Sequence, residues 1–158
     1  MKSDKIKISF LLSGKGTNLF KILERNLKKE IFHTHSIISE NSLSLNLKRL
    51  IKINRLKLKT YENTSNLSLN MLKGADIIFS VGYMKLIDQK IIENYKVINL
   101  HPSLLPKYKG LMTQKRMLIN NEKKFGFTIH NVSPVLDAGE IISQKFSSIK
   151  NIGEYDLL

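Results

Sequence analysis

No cysteine occurs in the 158 residues, which excludes disulfides, thiolate zinc sites and a cysteine nucleophile. Any chemistry therefore falls to His, Asp, Asn or backbone groups. Long apolar runs are missing as well. No segment approaches the roughly 18 uninterrupted residues of a membrane span, and Met1 to Lys7 leads straight into a strand-like run rather than a signal sequence. The expectation is a soluble, cytoplasmic protein without a membrane partner. Histidine is sparse, and His33, His35, His101 and His130 form neither H-x-x-x-H nor H-E-x-x-H, so no metal is expected. Ser13 lies outside any G-x-S-x-G elbow, which leaves a serine hydrolase unsupported. Acidic side chains are few: 13 Asp and Glu against 26 Lys and Arg give a formal charge of +13. The lysines are scattered from Lys2 to Lys150 without a dense basic stripe, so the charge favours solubility and anionic ligands and no nucleic-acid partner is expected.

What is present alternates. The run KIKISFLL (5–12) is apolar and β-branched, SGKGTN breaks it, and LFKILERNLKK places Leu19, Ile22, Leu23 and Leu27 at helical spacing. HTHSIIS (33–39) predicts a second strand, LSLNLKRLIKIN (43–54) a helix and LKLKTY (56–61) a third strand. A short helix at SLNMLKG, a continuous apolar strand at ADIIFSVGY, a helix at DQKIIENY and a strand at KVINL follow. Beyond two prolines, TQKRMLIN predicts a helix, and FGFTIHNV and GEIISQKFSSI predict two strands joined by SPVLDAG. Strands separated by helices of this length predict one α/β domain over residues 1–158, with a Rossmann-like, mostly parallel sheet flanked by helices and C-terminal strands completing a mixed sheet.

Three constellations carry chemistry. In SGKGTN, Gly14 and Gly16 permit a tight turn, and a helix starting near Thr17 aims free N–H groups and its positive dipole end at the loop, a geometry that binds phosphate. Lys15 adds charge, and Thr17 and Asn18 add donors. The same glycines would also serve a plain strand-to-helix turn. The loop is neither a dinucleotide fingerprint nor a P-loop. In VINLHPSLLPKYKG, Asn99 and His101 stand two apart and so share one face near the carboxyl end of a strand, where open α/β sheets bind ligands. Together they offer oxyanion donors and a mobile proton, and Pro102 and Pro106 stiffen the loop that follows. Ordinary strand-end hydrogen bonding is the alternative role. In VLDAG, Asp137 either forms an Asx-turn or, if its loop folds against that strand end, favours the imidazolium of His101 and readies it as an acid. His130, in FTIHNV, reads as structural or pocket-lining.

In this order, SGKGTNL, INLHPSLLPKYKGL and HNVSPVLDAGEII resemble the folate-dependent formyltransferases over almost the whole chain. The resemblance implies the formyltransferase fold and transfer of a formyl group from 10-formyltetrahydrofolate to the amine of glycinamide ribonucleotide in purine synthesis, with no metal. It further implies that Gly16, Thr17 and Asn18 hold the substrate phosphate. Met84, Lys85, Leu86 and Ile87, with Asn99, would bind the folate, and Asn99, His101 and Asp137 would form the catalytic trio. The loop around Val135 to Gly139 would close over the pterin. Lys85 stands where the family commonly has arginine, and the chain stops at NIGEYDLL, where the family's further helical segment begins. Another folate-dependent formyltransferase, formyltetrahydrofolate hydrolase and a folate- or phosphate-binding remnant without turnover are the alternatives.

Overall fold

A computed structural model describes residues 5–148; NIGEYDLL and the expected last strand residue, Ile149, lie outside them. The chain forms two compact units, one up to Val97 and one from Ile98.

The first unit holds β1 (Lys7–Leu12), α1 (Thr17–Lys29), β2 (His33–Ser39), α2 (Leu45–Ile53), β3 (Lys59–Tyr61), α3 (Leu69–Leu72), β4 (Ile77–Val81) and α4 (Gln89–Asn94). Its strands lie in the order β3-β2-β1-β4, and every pairing between them is parallel. Apolar strands meeting amphipathic helices build its core: Phe10, Leu11, Leu12, Ile37, Ile38 and Ile78 from the strands, with Leu19, Leu23 and Leu47 from α1 and α2, all nearly without solvent contact. Leu19 and Leu23, one helical turn apart, are the two fully buried positions of α1. Ser9 and Ser36 lie inside this core because their hydroxyls pair with each other at 2.7 Å.

Of the boundaries that differ from the sequence reading, two have a clear local reason. The second helix starts at Leu45 because the Ser44 hydroxyl caps it, accepting from Leu47 N–H. Leu43 stays outside the helix, its N–H donating to Glu62. The third strand shrinks from 56–61 to Lys59–Tyr61 because Arg55 adopts positive φ and Leu56 N–H turns back to the Ile51 carbonyl.

β5 (Lys96–His101) runs from the end of the first unit into the second, which adds α5 (Thr113–Ile119), β6 (Lys124–Asn131) and β7 (Ile141–Ser148). Pairing here is antiparallel, β5 with β6 and β6 with β7. Parallel strands alternating with helices, followed by antiparallel C-terminal strands, make the mixed α/β class the sequence predicts. No helix among the described residues is long and apolar enough to cross a membrane.

Candidate active site

In the first unit the order β3-β2-β1-β4 places the second and fourth strands on opposite sides of β1. Chain direction across the sheet therefore reverses between β1 and β4, and the crevice beyond their carboxyl ends is where such sheets take ligands. Two of the expected binding stretches leave from those two strand ends. SGKGTN follows β1, and Met84 to Ile87 follows β4.

The glycine loop hands the chain to α1 at Gly16, which has φ 72° and no capping side chain. The positive φ favours glycine there, and a Cβ on Gly16 would sit 2.9 Å from Leu12 Cδ1 and 3.2 Å from Leu47 Cδ2, so those side chains would have to shift. No acidic residue occupies the first turn of α1, and Thr17 and Asn18 are exposed. The helix start thus keeps its donors and its positive end unanswered by any carboxylate of its own turn. In the second stretch, the side chains of Met84 and Leu86 are largely exposed. The Met84 N–H donates to Ser13 Oγ at 2.8 Å, and Ser13 N–H donates to the Gly82 carbonyl at 3.0 Å, so the two loops are directly joined.

The second unit assembles the expected trio. Antiparallel pairing sets Asn99 opposite His130 and His101 opposite Thr128. Asn99 Nδ2 lies 3.2 Å from His130 Nε2, and His101 is 4% exposed. The loop after β5 is pinned by Thr128: its hydroxyl donates to the Ser103 carbonyl at 2.7 Å and accepts the Leu105 N–H at 3.0 Å. The chain then returns so that the Tyr108 carbonyl stands 2.9 Å from His101 Nε2. Tyr108 is anchored in turn by its hydroxyl on Glu122 at 2.8 Å.

Asp137 completes the group. Its Oδ2 lies 3.4 Å from His101 Nδ1 and accepts the Gly110 N–H at 2.7 Å, and its Oδ1 lies 3.5 Å from His130 Nε2. The loop reaches this position because Gly139 packs against the Asn131 carbonyl, where a Cβ would come within 1.7 Å of the oxygen. That carbonyl also accepts from His130 Nδ1 at 2.9 Å. Burial pushes the Asp137 carboxyl up, but the hydrogen bonds from His130 and the Gly110 N–H, with both imidazoles nearby, outweigh it and hold the group below the ordinary carboxylate range.

The donor arithmetic of the two rings agrees on one side and differs on the other. His101 Nε2 faces a carbonyl, as does His130 Nδ1, so each of those nitrogens carries a proton. The other nitrogen of each ring faces Asp137, which as a carboxylate only accepts. A proton on that second nitrogen suits His101, whereas His130 Nε2 also stands 3.2 Å from the Asn99 amide nitrogen and accepts from it only without a proton. The arrangement can present the loosely held His101 Nδ1–H and an Asn99 amide N–H on one side of β5, a pattern suited to an oxygen that gains negative charge.

The structure brings the expected Asn99, His101 and Asp137 into one cluster and adds, in contact with Asn99 and Asp137, His130, which the sequence reading took as structural or pocket-lining. Its signal was weak: one His on a strand face, whose partner depends on the β5–β6 register. Among the described residues no cluster of three or more His, Asp or Glu side chains is arranged to hold a metal ion.

Comparison with known proteins shows the family. The sequence profile described as formyl transferase matches residues 6–156. A phosphoribosylglycinamide formyltransferase of Haemophilus influenzae is 32% identical over 150 residues, which cover 87% of this chain and 71% of the relative. Among solved structures, a phosphoribosylglycinamide formyltransferase of Coxiella burnetii, in complex with CHES, superposes with a TM-score of 0.79 at 29% identity, covering 98% of this chain and 78% of that one. Its counterpart from Campylobacter jejuni gives 0.81 at 28% identity over 96% of this chain and 87% of that one. With residues 6–156 matched, and with His101 and His130 both gathered around the Asp137 carboxylate, this chain belongs to the formyl transferase family.

Proposed function

We propose that the protein transfers a formyl group from 10-formyltetrahydrofolate to the amine of glycinamide ribonucleotide, a step of purine synthesis in the cytoplasm. The observation that carries the reading is the His101–Asp137 contact at 3.4 Å, with Asn99 on the same strand face. The names of the relatives select the substrates. In this reading Gly16, Thr17 and Asn18 take the ribonucleotide phosphate at the uncapped start of α1. Met84, Lys85, Leu86 and Ile87, together with Asn99, take the folate. The exposed apolar side chains of Met84 and Leu86 and the backbone between them suit a flat, partly apolar heterocycle.

The bound donor supplies an electrophilic formyl carbon. The chain's residues do the rest. The Asn99 amide donates to the formyl oxygen as the amine attacks and charge grows there, and the His101 Nδ1–H, held only loosely by Asp137 at 3.4 Å, is shared with that oxygen. Asp137, its carboxyl held below the ordinary range, orients His101, the Tyr108 carbonyl holding the far side of the ring. The proton lost by the amine is matched by one gained by the departing folate nitrogen, so the exchange is balanced without a covalent enzyme intermediate.

The test is a steady-state assay with both substrates, following formylated ribonucleotide by chromatography and deformylated folate by absorbance. Equal formation of the two products is expected. Release of formate independent of the ribonucleotide would instead indicate a hydrolase, and binding of both ligands without turnover would overturn the enzymatic reading.

A further inference from the structure

Ser13 and Glu40 lie at the carboxyl ends of β1 and β2, and neither has a part in the chemistry proposed above. Ser13 makes more contacts than a turn residue needs. Its N–H donates to the Gly82 carbonyl at 3.0 Å, its carbonyl accepts from Asn41 Nδ2, its hydroxyl donates to Glu40 Oε2, and the same oxygen accepts the Met84 N–H at 2.8 Å. A hydroxyl has one proton and two lone pairs. While that proton is committed to a carboxylate, the lone pairs are left for the Met84 amide.

The other oxygen of Glu40 is also engaged. Oε1 lies 2.8 Å from Lys85 Nζ, and the same ammonium donates to the Ser65 carbonyl at 2.6 Å. The Glu40 side chain is only 14% exposed. An isolated surface ion pair contributes little, but this carboxylate is mostly shielded and bonded at both oxygens. Its partners sit on two loops that leave different strands. Glu40 also stands next to a loop built for an anion, where an unpaired carboxylate would repel phosphate. Lys85 and the Ser13 hydroxyl supply the compensation, and they hold the carboxyl below its ordinary range.

We propose that Glu40 is a positioning residue for both binding loops: by taking the Ser13 hydroxyl and the Lys85 ammonium at once, it fixes the glycine loop and the Met84–Ile87 loop in one arrangement. Lys85 then acts as the outer half of a clamp, and its ammonium is not a free cation awaiting a ligand. The proposal rests on the reading that these loops take the ribonucleotide phosphate and the folate. It adds that their affinities are linked through one side chain that touches neither.

The test uses Glu40→Gln, which keeps size and removes charge, with Ser13→Ala and the double variant. Amide hydrogen exchange at Met84 is read without ligand, and dissociation constants for glycinamide ribonucleotide and for tetrahydrofolate are read separately by calorimetry. In Glu40→Gln, exchange at Met84 is expected to quicken selectively and both dissociation constants to rise about five- to tenfold, the loss of one charge-assisted hydrogen bond. In turnover, both KM values should rise and kcat should change little. The double variant should lose less than the sum of the two single variants, because the Ser13–Glu40 bond is removed in each of them. Unchanged exchange at Met84, exchange that quickens evenly across the whole chain, or additive effects in the double variant would overturn the proposal. If the unaltered protein bound neither ligand, the proposed function would fail, while Met84 exchange would still decide whether Glu40 holds the two loops together.

Discussion

Asp137 Oδ2 lies 3.4 Å from His101 Nδ1, on the side of the ring opposite the Tyr108 carbonyl. The ring is thus held from both ends, and its charged form has an acceptor for each N–H. Replacing His101 with Ala removes a donor that matters when charge develops on the formyl oxygen, so the loss should fall on kcat. A decrease of about a hundredfold or more is expected, with tetrahydrofolate affinity within a few-fold of the unaltered protein. Turnover near normal would show that His101 is only a strand-end residue.

His130 should matter by a different route. It reaches Asp137 from the opposite side at 3.5 Å and the Asn99 amide at 3.2 Å, so it orients two members of the trio without replacing either. His130→Ala is expected to lower kcat about tenfold, the equivalent of one hydrogen bond to a charged group, and less than His101→Ala does. His130→Gln, which retains a donor near the carboxylate, should recover part of the loss. Equal and large losses in both variants would place His130 among the catalytic groups.

Asn99 and His101 were legible because a strand repeats every two residues, and period alone puts them on one face. Asp137 was legible through the short VLDAG motif and the resemblance that motif carries. His130 was not, because its role depends on which residue of β6 lies opposite Asn99, and register comes from sheet pairing rather than from the local sequence. Glu40 was hidden for a related reason: it is one acid after a strand, and its partners Ser13 and Lys85 arrive from the ends of two other strands. The parallel unit was readable from alternating patterns. The shortened β3 was not, since Arg55 at positive φ breaks a stretch whose composition still favours a strand.

The glycine loop needs a test that respects its backbone. Gly16 has φ 72° and packs against Leu12 and Leu47, so Gly16→Asp would strain the turn, by about 1–3 kcal/mol, as well as repel phosphate. A raised KM from that variant alone would not separate the two effects. Asn18→Asp places a negative charge in the exposed first turn of α1 without touching the turn backbone. The ribonucleotide KM is expected to rise tenfold or more, on the order of the charge effect at a helix start combined with a lost donor. The KM for formylfolate should move much less. An equal rise in both would remove the phosphate from this loop.

The depressed Asp137 carboxyl makes a prediction about acid stability. A carboxylate whose folded pKa lies below its unfolded value binds fewer protons when folded, so it stabilises the native state above the unfolded pKa, near 4. That contribution is lost as pH falls through the lower, folded value. Asp137→Asn lacks it at every pH. Urea unfolding should therefore show the unaltered protein more stable by about 1–3 kcal/mol between pH 5 and 7, the range for hydrogen bonds to a buried charged group. The gap should narrow below pH 4, because protonated Asp137 and Asn are then alike in charge. A gap that persists unchanged to pH 3 would mean that the variant fails through shape, with the contacts of Asp137 to His101 and His130 contributing nothing as an ion pair.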